Sequence, residues 1–278
     1  EAPVSSTGEW WAYVLIALAV ALLLHVIVGS SGNLAPEPSP PPKEEEEVEE
    51  KDPPRNFSAA QLREYDGNDD ADKFDSKAGK IYICIKGEVY DVSSAAEFYG
   101  ADGPYALFAG RDASRCLATL SFEEEALANP DISTCSSLEI DQLEDWVNKF
   151  KYIKCYPVVG RLVTPARRGP ITVEELANFK GTQEVPEGHC DPPLYVGVNK
   201  KVYDVSFGGF DMYKEGATYH LFAGKDVSRA LAKMSFKPED VNSREVSDLS
   251  DQEQKIMEDW AQKFEHKKLY PVVGDLVA

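Results

Sequence analysis

"GPYALFAGRDASRCLATL" (Gly103–Leu120) and "ATYHLFAGKDVSRALAKM" (Ala217–Met234) are one stretch written twice in the same chain. Each keeps a tyrosine, Tyr105 or Tyr219, then Leu-Phe-Ala-Gly, an aspartate and a Ser-Arg pair. Working outward, Leu62 and Leu176, Gly110 and Gly224, Trp146 and Trp260, and Tyr156 and Tyr270 stay in register to within a residue. Self-similarity at this spacing means a duplicated domain, and a chain of 278 residues leaves about a hundred for each copy. Only "TPARRG", Thr164–Gly169, separates them, so the copies are expected to touch or to hold a restricted orientation.

Both copies open on the same helix entry. Ser58 with Gln61 makes a capping box and Phe57 with Leu62 its hydrophobic staple; Thr172, Glu175, Ile171 and Leu176 repeat both devices. Gly67 and Gly181 suit the ends of those helices. The alternating, β-branched runs "KIYICIKGEVYDVS" and "PLYVGVNKKVYDVS" predict hairpins that turn at Lys86-Gly87-Glu88 and Asn199-Lys200-Lys201. Asp112 and Asp226 stand where the N-caps of short helices belong, each with a glycine shortly before it to end the preceding helix. Leu143, Trp146, Val147 and Phe150 keep i, i+3, i+4, i+7 spacing, as do Met257, Trp260, Ala261 and Phe264, and these stripes read as core packing. "CYPVVGRLV" and "LYPVVGDLV" close the copies as short returning strands. The fold class is therefore α+β, with helices inserted between strands.

Twenty-nine basic side chains against forty-eight acidic ones leave a net charge of -19, which repels phosphate backbones and argues against a nucleic-acid partner. Five cysteines, unevenly shared and without a C-x-x-C pair, argue against a disulfide framework or a structural zinc site. Ahead of the copies, "WWAYVLIALAVALLLHVIV" (Trp10–Val28) is apolar except at His25 and matches the roughly 30 Å core of a bilayer. A single transmembrane helix is expected over residues 10–29, after a short segment 1–9, with Trp10, Trp11 and Tyr13 at the interface. No Lys or Arg flanks it closely, so orientation stays open. The chain opens at Glu1 rather than Met, which raises the expectation of a removed leader and of import into an organelle. Residues 30–54 read as an acidic, Pro-rich stalk, whose block of glutamates cannot bury enough apolar area to fold. The two domains are expected at 55–164 and 165–278.

At "EFYGADGPYALFAGRDASRCLAT", "FSAAQLREYDG", "GEVYDVS" and "YPVVGRL" the first copy resembles the membrane-associated progesterone receptor family. The second is similar with more drift, in "ITVEELANFKG", "KKVYDVS", "MYKEGATYHLFAGKDVSRALA" and "YPVVGDL", so the resemblance covers roughly Asn56 to Ala278. It implies two tandem cytochrome b5-like haem/steroid-binding domains. The two-histidine electron carriers of the wider fold use an H-P-G-G motif that is absent here, and His25, His189, His220 and His266 are scattered. The resemblance implies instead haem b held by one tyrosine oxygen, Tyr105 in the first copy and Tyr219 in the second. It further implies that Tyr99 and Tyr213 support that ligand, and that Tyr156 and Tyr270 lie near the haem edge. A phenolate is a hard donor that favours ferric iron, and its formation needs metal charge or hydrogen bonds. Three departures stand out: Cys155 and Leu269 replace the family's lysine before the third tyrosine, Thr218 replaces a proline, and Lys214 interrupts the Phe-Tyr-Gly turn.

No nucleophile-base pair, P-loop or dinucleotide fingerprint is present, so catalysis by the chain itself is not expected. Two functions stay open. One is a membrane-anchored, non-catalytic haem-binding protein that presents, stores or senses haem or supports neighbouring haem proteins; steroid binding enters only by family analogy. The other is an accessory subunit of a large membrane complex, such as a mitochondrial respiratory one, whose haem sites are lost. Both place the protein in an organellar membrane, mitochondrial inner membrane or endoplasmic reticulum. Asn56-Phe57-Ser58 also forms a glycosylation sequon, although it opens a capped helix.

Overall fold

The computed structural model describes residues 53–68 and 78–277. The span expected at 10–29 and nearly all of the stalk lie outside the described residues, among which no helix is long and apolar enough to cross a membrane.

The first repeat runs β1 (Arg55–Phe57), α1 (Ala59–Leu62), β2 (Tyr82–Ile85), β3 (Glu88–Asp91), α2 (Ala96–Tyr99), a 3-10 turn (Ala106–Phe108) and β4 (Arg111–Asp112). It continues through α3 (Ser114–Thr119), α4 (Glu124–Ala128) and α5 (Ser137–Asn148), and closes on β5 (Val158–Leu162). These strands form one sheet in the order β1-β5-β3-β2-β4, with antiparallel pairs at its centre and parallel pairs at both edges. The second repeat runs α6 (Val173–Leu176), β6 (Tyr195–Val198), β7 (Lys201–Asp204), α7 (Phe210–Tyr213), a 3-10 turn (His220–Phe222), α8 (Ser228–Ala232), α9 (Pro238–Val241), α10 (Asp251–Gln262) and β8 (Val272–Asp275). Its sheet is β6-β7-β8, and the two parallel edges survive as single bridges, Ile171 to Leu276 and Gly197 to Asp226.

Both hairpins form where the alternating runs place them. Lys86-Gly87 and Asn199-Lys200 each take positive φ at both positions (51° and 78°, 48° and 67°), the geometry of a type I′ turn that matches strand twist. The strands are buried on both faces, because Ile83 and Ile85 pack under the helices while Tyr82 and Cys84 pack against Phe57 and Leu62 on the other side. The capping boxes expected at Ser58 and Thr172 are closed, and Ser136 and Ser250 close two more among the described residues.

Several local expectations need correction. The opening helices stop at Leu62 and Leu176, and Gly67 and Gly181 (φ 83° and 74°) serve the turns that follow rather than the helix ends. Asp112 and Asp226 sit one residue ahead of the cap: each carboxylate accepts from the backbone N–H and hydroxyl of Ser114 or Ser228 across a two-residue turn. Asn56 is fully buried, which rules it out as a sugar acceptor in the folded chain.

The repeats form one compact unit. The N-terminal edge of the first docks on the second: Asn56 accepts from Cys190 N–H (2.7 Å) and donates to Asp191 O (3.2 Å), and Gln61 donates to Phe207 O (2.7 Å) and Lys268 O (3.0 Å).

Candidate functional site

The tyrosine loop is built by backbone closure. In the first repeat the N–H of Tyr105 reaches back to Phe98 O (2.9 Å), across the end of α2, and the chain then winds into the 3-10 turn. Tyr219 N–H makes the same bond to Met212 O (2.9 Å), so neither Thr218 nor Lys214 disturbs the loop. The reason is visible at the glycine that Lys214 replaces: Gly100 and Lys214 share an ordinary extended conformation (φ -73° and -60°) that any residue adopts. Past the turn, Gly110 and Gly224 do need positive φ (70° and 72°), and a Cβ there would press on the backbone of α1 or α6 at 3.1 to 3.3 Å.

The third tyrosine is positioned by an irregular helix end. α5 and α10 finish in π turns, Lys149–Ile153 and Lys263–Lys267, closed by Lys154 N–H to Lys149 O and Lys268 N–H to Lys263 O. Cys155 and Leu269 then take a left-handed conformation (φ 52° each), which sends Tyr156 and Tyr270 back over the helix, their N–H groups on Phe150 O and Phe264 O. Such π turns recur at functional sites because they re-aim the side chains that follow.

In each repeat the three expected tyrosines come together with two phenylalanines. The rings of Tyr99 and Tyr105 are 6.0 Å apart and those of Tyr99 and Tyr156 6.5 Å, and Tyr105 stacks with both Phe108 and Phe122, at 6.0 and 5.9 Å. The second repeat reproduces this: Tyr213 to Tyr219 is 5.6 Å, and Tyr219 stacks on Phe222 and Phe236, both at 5.9 Å. Tyr99, Tyr156, Tyr213 and Tyr270 are buried, and burial pushes all four phenols above their ordinary range, so they stay protonated donors. Tyr105 and Tyr219 are half-buried, within reach of a ligand.

Around Tyr219 this wall encloses a cavity of about 260 Å³, shared with Tyr213, Tyr270, Trp260, Met234 and two lysines, Lys263 and Lys268. Lys263 lies 4.4 Å over the Trp260 ring, and Lys149 repeats this on Trp146. Lys268 stands one residue before the position where the family's lysine was missed, so the cation is displaced along the chain rather than lost. Its ammonium is pushed below the ordinary lysine range by burial, then by Lys263 and Arg55. The Tyr270 hydroxyl is buried with no hydrogen-bond partner. His220 is exposed with Nδ1 on Ala217 O, His189 is half-buried with Nδ1 on Glu187 O, His266 is exposed, and among the described residues no cluster of His, Cys, Asp or Glu could hold a metal.

Phe122, Phe236, Lys263 and Lys268 are the site residues that motif reading passed over. Matching the repeats position by position would have found them, since Phe122 aligns with Phe236, Lys149 with Lys263 and Lys154 with Lys268.

The family described as "Cytochrome b5-like Heme/Steroid binding domain" matches residues 59–163 and again 172–277. A protein named membrane steroid-binding protein 1, from Oryza sativa subsp. japonica, is 43% identical over 162 residues, covering 55% of this chain and 66% of that protein. Human membrane-associated progesterone receptor component 2 is 40% identical over 113 residues, 40% of this chain and 46% of its own length. A Schizosaccharomyces pombe protein named cytochrome P450 regulator dap1 is 38% identical over 128 residues, 44% of this chain and 71% of that one. The chain thus spans about half to two thirds of the first two relatives.

Proposed function

This chain belongs to the cytochrome b5-like haem/steroid-binding domain family, in two copies, and from that premise we propose that it is a non-catalytic haem-binding protein with one tyrosine-type site per repeat, held at a membrane through the apolar segment at 10–29. The observation that carries the reading is the recurrence, in both repeats, of a half-buried tyrosine ringed by buried phenols and stacked phenylalanines. Around Tyr219 the cavity adds two ammonium groups to apolar aromatic walls.

The donor set fits ferric haem. Tyr105 or Tyr219 would supply a hard oxygen donor, and the bound ferric iron would supply the Lewis-acid charge that such a donor matches. Tyr99 and Tyr213, kept protonated by burial, lie against that ring as potential donors to the phenolate. Lys263 and Lys268 would meet carboxylates at the ligand's rim, and the unpartnered Tyr270 hydroxyl supplies a further donor. A volume of about 260 Å³ lies just under the roughly 300–1,000 Å³ of ordinary ligand pockets. On this reading the chain carries, stores or senses haem. The name of the fission-yeast relative supports neighbouring haem proteins as partners.

The test is haemin titration of the full chain in detergent micelles, followed by absorbance and iron stoichiometry. One equivalent per repeat is expected, with one lost in Tyr105→Phe, one in Tyr219→Phe and both in the double variant. Uptake no greater than that of an unrelated acidic protein, or uptake indifferent to both tyrosines, overturns the proposal.

A further inference from the structure

The docking of the first repeat lands on the cavity wall of the second. Gln61 is 2% exposed, and its amide orientation is set within its own repeat, because Oε1 accepts from Ser58 N–H (3.2 Å) in the capping box. Nε2 is thereby aimed out of the first repeat and donates to two carbonyls of the second, Phe207 O and Lys268 O. Lys268 O terminates the π turn, one residue before the left-handed Leu269 and two before Tyr270. Lys268 and Tyr270 both line the cavity.

Phe207 O opens a Gly-Gly pair that completes the junction. A Cβ on Gly208 would lie 1.9 Å from the Arg55 guanidinium, and one on Gly209 would lie 2.6 Å from the Tyr270 hydroxyl. Gly208 admits the first repeat's arginine and Gly209 admits the second repeat's phenol. Arg55 is itself held by Tyr65 Oη (3.1 Å) and stacks 3.9 Å over Phe57. Asn56 adds its two bonds to the backbone at Cys190 and Asp191.

The arrangement is one-directional. Where the first repeat has Arg55, Asn56 and Gln61, the second has Gly169, Pro170 and Glu175, none of which carries a side-chain N–H. The second repeat's edge therefore cannot dock in the same way on another copy.

We propose that the first repeat is a structural part of the second repeat's ligand site, with Gln61 as the positioning residue that fixes Lys268 and Tyr270. The ligand half of this inference rests on the haem reading above; the mechanical half does not. Outer partners of metal-ligating residues commonly change affinity by about 10–100-fold when removed. Gln61→Glu is the informative variant, since it keeps the acceptor for the capping box and the side-chain volume while removing both donors and setting a carboxylate against two carbonyls.

Full-length Tyr105→Phe, in which only the Tyr219 site remains, would be compared with Tyr105→Phe/Gln61→Glu by haemin titration and by amide hydrogen exchange over 264–270. Gln61→Met serves as a second, neutral variant and Glu175→Gln as the control at the matching position. The expected result is at least about tenfold weaker haemin binding, at unchanged saturating stoichiometry, with faster exchange at Lys268–Tyr270 in both Gln61 variants and no change in the control. Unchanged exchange overturns the proposal, and so does faster exchange with unchanged affinity. No uptake by the Tyr105→Phe parent defeats the haem reading for this repeat alone, and exchange then decides whether Gln61 holds the wall.

Discussion

Tyr270 shows how a single side chain can be set against its own fold. Its hydroxyl is buried, unpartnered and kept protonated by its surroundings, a state that costs about 1–3 kcal/mol unless something accepts or donates to it. In the ligand-free protein Tyr270→Phe should therefore leave the urea midpoint unchanged or raise it, since the ring packing on Phe264 at 5.2 Å survives. Haemin affinity of the same variant should fall. A loss of stability without haemin would mean that the hydroxyl already has a partner in solution. The family motif pointed to this residue from the sequence, but its isolation did not show there, because the cavity that isolates it is assembled from α7, α8, α10 and the π turn that follows.

Regular helix periodicity explains α5 and α10 up to Asn148 and Gln262, and Leu143, Val147, Met257 and Ala261 are buried as their spacing implies. The π turn that follows was not legible, because widening a helix by one residue per turn leaves no compositional trace in "KFKYI" or "KFEHK". Nor does a left-handed cysteine or leucine announce itself, since glycine is the residue that usually marks such positions. That geometry gives a clean test at Cys155, which is exposed. A non-glycine residue in the left-handed region carries a penalty of about 1–2 kcal/mol, partly offset in glycine by its greater unfolded-state entropy. Cys155→Gly should therefore hold or slightly raise stability, and the β-branched Cys155→Val should lower it by at least about 1 kcal/mol. Equal midpoints for the two variants in chemical denaturation would contradict the conformation assigned here.

At the scale of the molecule, duplication, fold class and hairpin placement could be read from residues such as Leu62, Gly110, Trp146 and Tyr156 and their counterparts. The docking of one copy on the other could not, because the residues that make it, Asn56 and Gln61, read equally well as a strand residue and a helix cap. Burial of acids adds a pH dependence to the whole unit. Asp204, whose carboxylate accepts from Ser206 N–H and hydroxyl, is pushed up to about 6 by desolvation, and Asp191, at the junction, is raised to about 6 for the same first reason and by Asp211. Both folded-state values exceed the unfolded one, so the folded chain holds these protons from about pH 4 to about pH 6 after the unfolded chain has released them. The associated stability is complete below about pH 4 and is lost as pH rises through about 6. Asp204→Asn removes one titration. Its stability relative to wild type should climb between pH 4.5 and pH 7, by about 2 kcal/mol in urea unfolding, and a flat difference would place the Asp204 charge in contact with solvent.

The hexapeptide Thr164–Gly169 gives the junction a further meaning. A tether that short holds the two partners at an effective concentration on the order of millimolar. Contacts as few as those of Asn56 and Gln61 can then keep the repeats joined almost all of the time, though they would be too feeble to bring the same surfaces together as separate molecules. Nicking the chain there would disperse the pair without altering a single contacting side chain, which makes six residues of linker the setting on which the first repeat's hold on the second repeat's cavity wall depends.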